Sequence, residues 1–408
     1  MAIQGLRDSN NFATDERPKN WREAILRLYP NGKAPLTAMT AAMKSRKVDD
    51  PEFNWWEKSL PTQRVSTGTV AHTATQTAIT VLSGALALKE GHLLRAEGTT
   101  SQEVMLVAAD PVVDTSITVV RGYAGTTASA LVSSTAGNPN LHVVGNANEE
   151  GSTAPTGINY DPTKVYNYTQ IFRNSLEMTR TAMRTRLRTG DQVKEAKREC
   201  LELHSIEMEK AFWFGQRLET TRNGKPLRTT RGIFNWIHTD NVVNIATTGT
   251  TTGVSLFTLE GYLKSAFDYG SNEKMGFLGN TAMLTIQRIC RKNSTYQLLP
   301  PSNEFGITVN RLVTPFGTLI LKTHPLFNQL SGGGTATSQY YGVDSWLAIL
   351  DMAEIMYTYV DDTKYEKDLQ DSGVDGLKSG YLTEAGMEFH HSTAHYLVKG
   401  LATAIVDS

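Results

Sequence analysis

The sequence predicts an α+β protein in which a sheet-rich body is built along one long helix. Residues 189–216 carry the strongest helical pattern, because their apolar residues recur at spacings of three and four. Residues 103–109 (EVMLVAA) and 115–121 (TSITVVR) instead read as two strands joined by a turn. Strand-like segments lie on both sides of the helix, which favours a mixed fold over a helical bundle.

The predicted helix has a broad apolar stripe. We expect burial of the residues that form it, namely Val193, Ala196, Cys200, Leu201, Leu203, Met208, Ala211 and Phe212. Thr189 followed by Gln192 fits a capping box at the start of the helix. Arg198 and Glu202 belong to the outer face. At about 1.5 Å per residue, such a helix spans roughly 39 Å.

Composition excludes several classes of protein. The chain has 408 residues with Lys+Arg 40 and Asp+Glu 41, so its net charge of −1 does not indicate a nucleic-acid-binding protein. Cys200 and Cys290 are the only cysteines, and both lie in helical patterns, which favours buried reduced thiols over a disulfide. The first residues hold no apolar run typical of a signal peptide, and no window predicts a membrane span. We expect a soluble protein without a cofactor that is made inside a cell.

The first segment, residues 1–64, predicts an extended arm that docks on a larger body. It carries 11 basic and 8 acidic side chains, and beyond a short helix expected near residues 21–29 it has few apolar residues. A DDP turn at residues 49–51 precedes the aromatic residues of FNWWE. These aromatics fit either an intramolecular staple on the main body or an anchor on another protein.

This arm carries a resemblance to a known family. Its residues 35–61 read PLTAMTAAMKSRKVDDPEFNWWEKSLP, and the segment KVDDPEFNWWE within them is the most specific match. Similarity continues through the long helix, through RTTRGIFNWI at residues 228–237 and through GFLGN at residues 276–280. In these segments the chain resembles the major head (capsid) proteins of tailed bacteriophages.

The resemblance implies the Hong Kong-type capsid fold and a structural function. It implies hexamers and pentamers in an icosahedral shell around double-stranded DNA, located in the virion and assembled in the host cytoplasm. Scaffold, portal and decoration proteins are the further partners that it suggests, with no enzymatic activity and no membrane contact. The implied division of the chain is an N-terminal arm (1–64), an extended loop with a small β-barrel-like insertion (65–160), a peripheral domain with a spine helix at 190–216 (161–240), an axial domain (241–340), and return strands of the last two domains (341–408).

Residues 65–160 predict a small antiparallel β module. They hold 3 basic and 7 acidic residues, and the strand-like residues 93–96 follow a Lys89-Glu90-Gly91 turn. Short strands at this spacing are typical of a small barrel or sandwich. The module would either contact neighbouring subunits and decorate the shell, or serve only as a packing subdomain.

Residues 161–240 are basic, with 15 basic and 10 acidic side chains. We expect a first helix over residues 169–182, followed by the crowded arginines 180, 184, 186 and 188. These arginines form either a solvated face or a surface for a neighbouring subunit or DNA phosphates. Asn223-Gly224 predicts a hairpin with basic flanks. The candidate inter-subunit residues are therefore Asp49, Asp50, Phe53, Trp55, Trp56, Glu57, Arg222, Lys225, Arg228 and Arg231.

The last third of the chain alternates helices and strands. Helices are predicted at 256–269 and 280–292, a strand at 275–278, a hairpin at 309–313 and 318–323, and a flexible glycine run at 331–334. Return strands are expected at 340–350, 353–360 and 388–398, with a charged turn at 361–365.

Two other functions compete with the capsid interpretation. His390, His391 and His395 form a histidine cluster, and a metal-dependent enzyme would use them as ligands. The glutamate of an HExxH motif is missing, however, and the neighbouring residues favour a strand. A phage tail or fibre component is the other alternative, although fibres favour internal repeats and this chain shows none.

Overall fold

The computed structural model describes residues 43–60, 63–67, 70–97, 103–131, 140–185, 191–245, 254–293, 298–304, 307–329 and 342–401. The chain divides into two compact units. One unit contains the described residues up to Trp55 together with those from Lys164 onward, and the other is Trp56–Thr163. Each unit has its own hydrophobic core.

Strands dominate the described chain. They are β1 Lys44–Lys47, β2 Glu52–Glu57, β3 Arg64–Ser66, β4 Ala78–Thr80, β5 His92–Ala96, β6 Val104–Val107, β7 Ser116–Tyr123, β8 Asn140–Asn146, β9 Thr163–Tyr168, β10 Gln170–Thr179, β11 Leu218–Arg222, β12 Lys225–Thr229, β13 Val242–Asn244, β14 Glu273–Leu278, β15 Leu298–Glu304, β16 Ile307–Thr314, β17 Gly317–Thr323, β18 Leu347–Leu350, β19 Ile355–Glu366, β20 Gly376–Phe389 and β21 Tyr396–Lys399. The helices are α1 Arg180–Arg184, α2 Gln192–Phe214, α3 Ile233–Trp236, α4 Leu256–Ala266, α5 Asn280–Asn293 and α6 Pro325–Gln329. The predicted α+β class is confirmed.

The long helix α2 packs on a four-stranded sheet with the order β1-β19-β20-β10. β10 and β20 are antiparallel from the Gln170–Ala385 pair to the Thr179–Gly376 pair. Apolar side chains fill the space between helix and sheet. They include Phe172, Met208, Phe212, Tyr357 and Met387.

One polar side chain also fixes the helix to the sheet. The Nε2 atom of His204 lies 2.8 Å from the hydroxyl of Thr383 on β20, and its Nδ1 lies 2.7 Å from the amide oxygen of Asn174 on β10. Burial lowers the pKa of His204, so the neutral ring is favoured. Because its partners come from two strands, the histidine sets the register of the helix against the sheet.

The predicted spine helix is confirmed, but two features of the prediction are wrong. The helix is capped by Asp191, whose Oδ1 accepts from the amides of Val193 (3.0 Å) and Lys194 (3.4 Å). Leu201 and Leu203 are exposed rather than buried. The buried face runs instead through Cys200, His204, Met208, Glu209, Phe212 and Trp213. Near the start of the helix, the apolar spacings of three and four are compatible with two different buried faces. The sheet lies against the face that contains Cys200 and His204, so this face is buried and Leu201 and Leu203 are not.

A second sheet of seven strands has the order β13-β21-β18-β14-β17-β16-β15. β14 is central, parallel to β17 and antiparallel to β18. The predicted helices at 256–269 and 280–292 are confirmed as α4 and α5, and they pack on this sheet through Leu259, Leu263, Ile286 and Ile289. The buried ammonium of Lys274 donates to the carbonyls of Ala266 (2.7 Å), Tyr269 (2.5 Å) and Ala394 (2.6 Å), which stabilises the end of α4.

The Trp56–Thr163 unit is a six-stranded antiparallel sheet with the order β3-β8-β5-β6-β7-β4. The strands predicted at 93–96, 103–109 and 115–121 are confirmed as β5, β6 and β7. β3 and β4 are at opposite edges, yet the amide of Leu82, just past β4, donates to the carbonyl of Ser66 in β3 at 2.8 Å. The sheet therefore curls until its two edges approach.

A buried ion pair fastens the loops of this unit. Arg121 on β7 donates to both carboxylate oxygens of Glu103 at 2.8 Å, and the two side chains are 6% and 1% exposed. The guanidinium also donates to the carbonyls of Thr73 (2.8 Å), Gln76 (3.2 Å) and Ser129. One side chain thus holds two loops onto the strand pair β6 and β7.

The helix predicted at residues 169–182 is wrong. These residues form β10 and then the single turn α1. Burial alternates along the strand, with Phe172 and Leu176 facing the core and Ile171 exposed. Leu, Glu, Met and Arg favour a helix locally, but the ladder with β20 pairs the backbone and overrides that preference.

Three predictions about the return strands also need correction. The charged residues 361–365 lie inside β19, which absorbs them through register shifts near Asp361. Residues 388–398 are not one strand, because the short Ser392–Ala394 turn separates β20 from β21. In the described part of 340–350, which begins at Gly342, only Leu347–Leu350 is a strand, and it follows a Val343–Ser345 turn.

Some predictions lie outside the described residues. These are the helix at 21–29, Arg186, Arg188 and the glycine run at 331–334. Within the described part of the chain, no helix is both long and apolar enough to cross a lipid bilayer. Cys200 and Cys290 are free and buried, as predicted, and burial raises the pKa of both thiols.

Candidate subunit interface

The arm enters the four-stranded sheet as an edge strand. β1 runs parallel to β19, and the amide of Val48 extends the ladder by donating to the carbonyl of Tyr359 at 2.9 Å. All four side chains of β1 are exposed, in the sequence KSRK. A short, basic edge strand resists uncontrolled sheet addition. Of its charges, Arg46 lies 3.7 Å from the carboxylate of Glu388 within the chain.

The predicted turn at residues 49–51 is confirmed. Asp49 and Asp50 are exposed, and Oδ1 of Asp50 accepts from the amide of Glu52 at 2.8 Å. The carbonyl of Pro51 accepts from the amide of Thr169 at 2.8 Å, which ties the turn to the body. Asp49 is the more available of the two carboxylates, because Asp50 is used by the turn.

The aromatic residues of the arm have two different environments. Phe53 and Trp55 are buried in the main core, where the Trp55 ring lies 5.5 Å from that of Trp236 and 5.8 Å from that of His390. Trp56 is 66% exposed. Successive strand residues point to opposite faces, so Trp55 and Trp56 cannot share a role. Phe53 and Trp55 therefore act as an intramolecular staple on the main body. An anchor on another protein fits only Trp56 and its half-buried neighbour Glu57.

The predicted basic hairpin is confirmed as β11 and β12. Asn223 (φ 52°) and Gly224 (φ 72°) both have positive φ, as the tight hairpin turn requires. Arg222 and Lys225 are cross-strand partners at its tip and are exposed. Among the described residues, neither forms an ion pair with a carboxylate, so two like charges stand opposite each other without compensation.

The other two basic candidates have partners within the chain. Nε of Arg228 donates to Oε1 of Glu219 at 2.9 Å across the hairpin. The guanidinium of Arg231 lies 4.3 Å from the ring centroid of Trp236 and donates to the carbonyl of Asn235. Burial lowers the pKa of Arg231. Arg228 and Arg231 therefore have partners within the subunit, unlike Arg222 and Lys225, which form no ion pair among the described residues.

The hairpin is held to the end of the spine helix by two close-packed glycines. The amide of Gly232 donates to the carbonyl of Gly215 at 2.9 Å. A Cβ atom on Gly215 would lie 2.4 Å from the carbonyl oxygen of Ala211, and one on Gly232 would lie 2.6 Å from the nitrogen of Gly215. This close approach explains why the RTTRGIFNWI segment has glycine at this position.

Two of the crowded arginines lie within the described chain. Arg180 and Arg184 are exposed on α1. Nε of Arg180 lies 3.0 Å from Oδ1 of Asp375. The solvated-face interpretation accounts for both residues, and this exposed pair contributes little to stability.

The histidine cluster does not form a metal site. His395 is fully buried, with Nδ1 accepting from the amide of Asp351 (3.2 Å) and Nε2 facing the carbonyl of His390 (3.2 Å). Burial lowers its pKa to about 3. The ring of His390 pairs instead with Glu388, at 2.8 Å from Nε2. Because both ring nitrogens of His395 have hydrogen-bond partners, the three histidines cannot bind one metal ion together. Among the described residues, there is no cluster of three or more side chains that could hold a metal ion.

Sequence reasoning missed one exposed apolar surface. Oδ1 of Asp114 accepts from the amides of Gly84 (3.0 Å) and Leu86 (3.2 Å), so the loop after β4 meets the loop before β7. This contact places four exposed apolar side chains at one end of the Trp56–Thr163 unit; we call them the apolar pole: Leu82, Leu86, Val112 and Val113. The signal in the sequence is the pair of valines inside the turn motif DPVVD, where polar residues are the norm.

The chain is similar to several known proteins. A curated relative, the major capsid protein of Pseudomonas phage PaMx41, is 29% identical over 318 residues, which cover 76% of this chain and 74% of the relative. Among solved structures, the capsid of Myoviridae phage XM1 matches 97% of this chain and 99% of its own, with 12% identity and a TM-score of 0.46. The capsid of a native GTA particle matches 95% and 96%, with 8% identity and a TM-score of 0.43.

The family model for SU10 major capsid proteins matches residues 7–402, which is nearly the whole chain. This match confirms the resemblance that the arm, the spine helix and the two glycine-containing segments predict. The protein therefore belongs to the SU10 major capsid protein family.

Proposed function

We propose that copies of this phage capsid protein close into an icosahedral shell of hexamers and pentamers that encloses double-stranded DNA. The observation that carries the proposal is the family match over residues 7–402. The proposal includes assembly in the host cytoplasm, with scaffold, portal and decoration proteins as further partners. The protein acts by binding alone, without catalysis or a cofactor.

Within this proposal each part of the fold has a place in the Hong Kong-type layout. The sheet β1-β19-β20-β10 with α2 is the peripheral domain, and the seven-stranded sheet with α4 and α5 is the axial domain. The Trp56–Thr163 unit is the extended loop with its β insertion. Residues 341–408 return to both sheets, because β19 and β20 lie in the same sheet as β10, while β18 and β21 lie in the same sheet as β14.

Assembly then depends on many modest contacts that act together when the shell closes. The exposed candidates Asp49, Trp56, Arg222 and Lys225 make direct contacts between subunits. Phe53, Trp55 and Arg231 contribute by holding the arm and the hairpin in position. Any contacts with the enclosed DNA are made to phosphates by local basic residues and without sequence specificity.

The proposal is tested on the purified full-length chain by size-exclusion chromatography and negative-stain electron microscopy. We expect wild-type protein to form closed shells of uniform size. Trp56→Ala should raise the concentration at which shells appear, because Trp56 is an exposed aromatic of the kind enriched in interface hot spots.

Phe257→Ala is the matched control, because Phe257 is an exposed aromatic on α4 rather than on the arm. Wild-type protein that stays monomeric, with and without a co-expressed scaffold protein, would contradict the proposed function. Equal effects of the two substitutions would contradict only the special role of Trp56.

A further inference from the structure

The basic hairpin has two chemically different faces. Because partner residues in a hairpin share a face, Leu218, Thr220, Arg222, Lys225, Leu227 and Thr229 lie on one side. We call this side the hairpin face. The opposite side contains Glu219 and Arg228, and Nε of Arg228 donates to Oε1 of Glu219 at 2.9 Å within the same subunit. On the opposite side the charged side chains pair with each other, whereas the charges of the hairpin face are not paired with a carboxylate among the described residues.

The hairpin face combines exposed apolar area with positive charge. Leu218 is 56% exposed and Leu227 is 43% exposed, so this short ribbon presents two leucine side chains to solvent. Arg222 and Lys225 repel each other across the tip. A partner that covers the leucines would remove their apolar surface from water. If it also supplied carboxylates, it would offset the repulsion between Arg222 and Lys225.

The apolar pole of the Trp56–Thr163 unit has the complementary chemistry. Leu82, Leu86, Val112 and Val113 are exposed there, with Val112 at 92%. Acidic residues lie at the same end of the sheet: Oδ1 of Asp110 accepts from the amide of Glu90 at 2.8 Å, and the amide of Ala147 donates to the carbonyl of Gly91 at 2.8 Å. The second bond brings the exposed pair Glu149 and Glu150 to the same end.

We propose that the hairpin face of one copy docks on the apolar pole of a second copy. The leucines of the hairpin cover the pole's apolar side chains, while Arg222 and Lys225 meet the carboxylates at the same end of the sheet. This contact rests on the proposed shell function. It consists of two specific surfaces that meet between copies in the shell. The two surfaces differ, so the contact is head-to-tail and can link copies into rings or a lattice rather than only pairs.

Phosphate groups of DNA are the alternative partner for Arg222 and Lys225. Two exposed leucines on the same face do not suit a phosphate backbone, whereas they suit an apolar surface with acidic residues at the same end. The structure therefore favours a protein partner.

Charge exchange tests the contact on the full-length chain. We expect Arg222→Glu with Lys225→Glu to raise the critical concentration for shell formation at least about tenfold, because like charges would face each other across the interface. Glu149→Lys with Glu150→Lys should do the same. These two carboxylates are suitable because, unlike Asp110 and Asp114, they form no side-chain hydrogen bond among the described residues.

The combined four-site variant should recover assembly to within about threefold of wild type, because the opposite charges are restored. Wild-type protein that does not assemble would overturn the proposed function itself. Normal assembly of the hairpin variant, or no recovery in the four-site variant, would overturn the docking contact while leaving the shell function intact. Shells that form normally from the hairpin variant but lose affinity for a labelled DNA duplex would assign the hairpin to DNA.

A disulfide measurement gives a second test. Leu227→Cys protein and Val112→Cys protein are mixed, assembled and oxidised, and peptide mass spectrometry then looks for a disulfide between the two substituted positions. In such a mixture that disulfide joins two different copies, because each copy carries only one of the substitutions. We expect it in shells and not in unassembled subunits, and its absence from well-formed shells would overturn the contact.

Discussion

Replacing Arg121 with alanine is the most direct test of how the β insertion is stabilised. The guanidinium forms a two-bonded ion pair with Glu103, at 2.8 Å for each bond, and both side chains are nearly inaccessible to solvent. The substitution removes this partner and leaves a buried carboxylate. It also frees the loop carbonyls of Thr73 and Gln76 that Arg121 binds.

Removing one partner of a buried ion pair costs about 3–5 kcal/mol. A small β unit has a total stability of about 5–15 kcal/mol, so the loss is a large fraction of it. At about 1.4 kcal/mol for each tenfold change, the opening equilibrium of the sheet should rise roughly a hundred-fold to a few thousand-fold. Arg95→Ala on strand β5 of the same sheet is the control, with an expected change of about 0.5 kcal/mol or less.

Hydrogen–deuterium exchange on the unassembled full-length subunit measures the effect locally. Amides of β6 and β7 should lose protection by the stated factor in Arg121→Ala, while those of β14, in the other unit, keep theirs. Protection of β6 and β7 that stays within about threefold of wild type would refute the reasoning, because it would mean that the ion pair does not hold the sheet together.

Three further predictions concern the arm, the spine helix and the insertion. Trp55→Ala should destabilise the subunit by about 3–5 kcal/mol in urea unfolding, because it empties a buried ring position, whereas Trp56→Ala should change stability by less than about 1 kcal/mol; equal losses would contradict the two environments. Met208→Ser should prevent recovery of soluble subunits, because Met208 is buried. Leu203→Ser should leave thermal unfolding unchanged, because Leu203 is 56% exposed. Loss of soluble protein in both variants would mean that both faces of the helix are buried. Burial alone raises the pKa of Glu103, but hydrogen bonds from Arg121 and from the amides of Ser129 and Gly122 outweigh it and lower the pKa below the ordinary 4.5. The carboxylate therefore stabilises the insertion above pH 4.5, and this contribution is lost as the pH falls through the lowered pKa. Exchange protection of β6 and β7, corrected for intrinsic rates, should therefore fall as the pH drops below 4.5 in wild type and not in Glu103→Gln.

In the candidate interface, successive residues of one strand have different roles, because their side chains point to opposite faces. FNWWE looks like a single aromatic anchor in the sequence, yet the strand places Trp55 against Trp236 and turns Trp56 to solvent. The same alternation separates the Glu219–Arg228 side of the hairpin from the side with Arg222 and Lys225. In both cases one face stabilises the subunit, and the other remains available for assembly.

Short-range physics determined several elements of this protein. The spine helix follows from its apolar spacing, and the hairpin at Asn223-Gly224 follows from residues that tolerate positive φ. The strands β5, β6 and β7 follow from runs of residues that favour strands between turn signals. The family resemblance follows from the arm and helix segments, and the match over residues 7–402 confirms it.

Tertiary contacts decided the rest, because they change the free energy of a segment by more than its local preferences do. Residues 170–179 became a strand when β20 supplied a complete ladder, and residues 361–365 continued β19 for the same reason. Which stripe of the spine helix is buried depended on where the sheet lies, and His204 rather than Leu203 faces it. The apolar pole arises only because Asp114 joins two loops that are distant in sequence, and no local pattern contains that information.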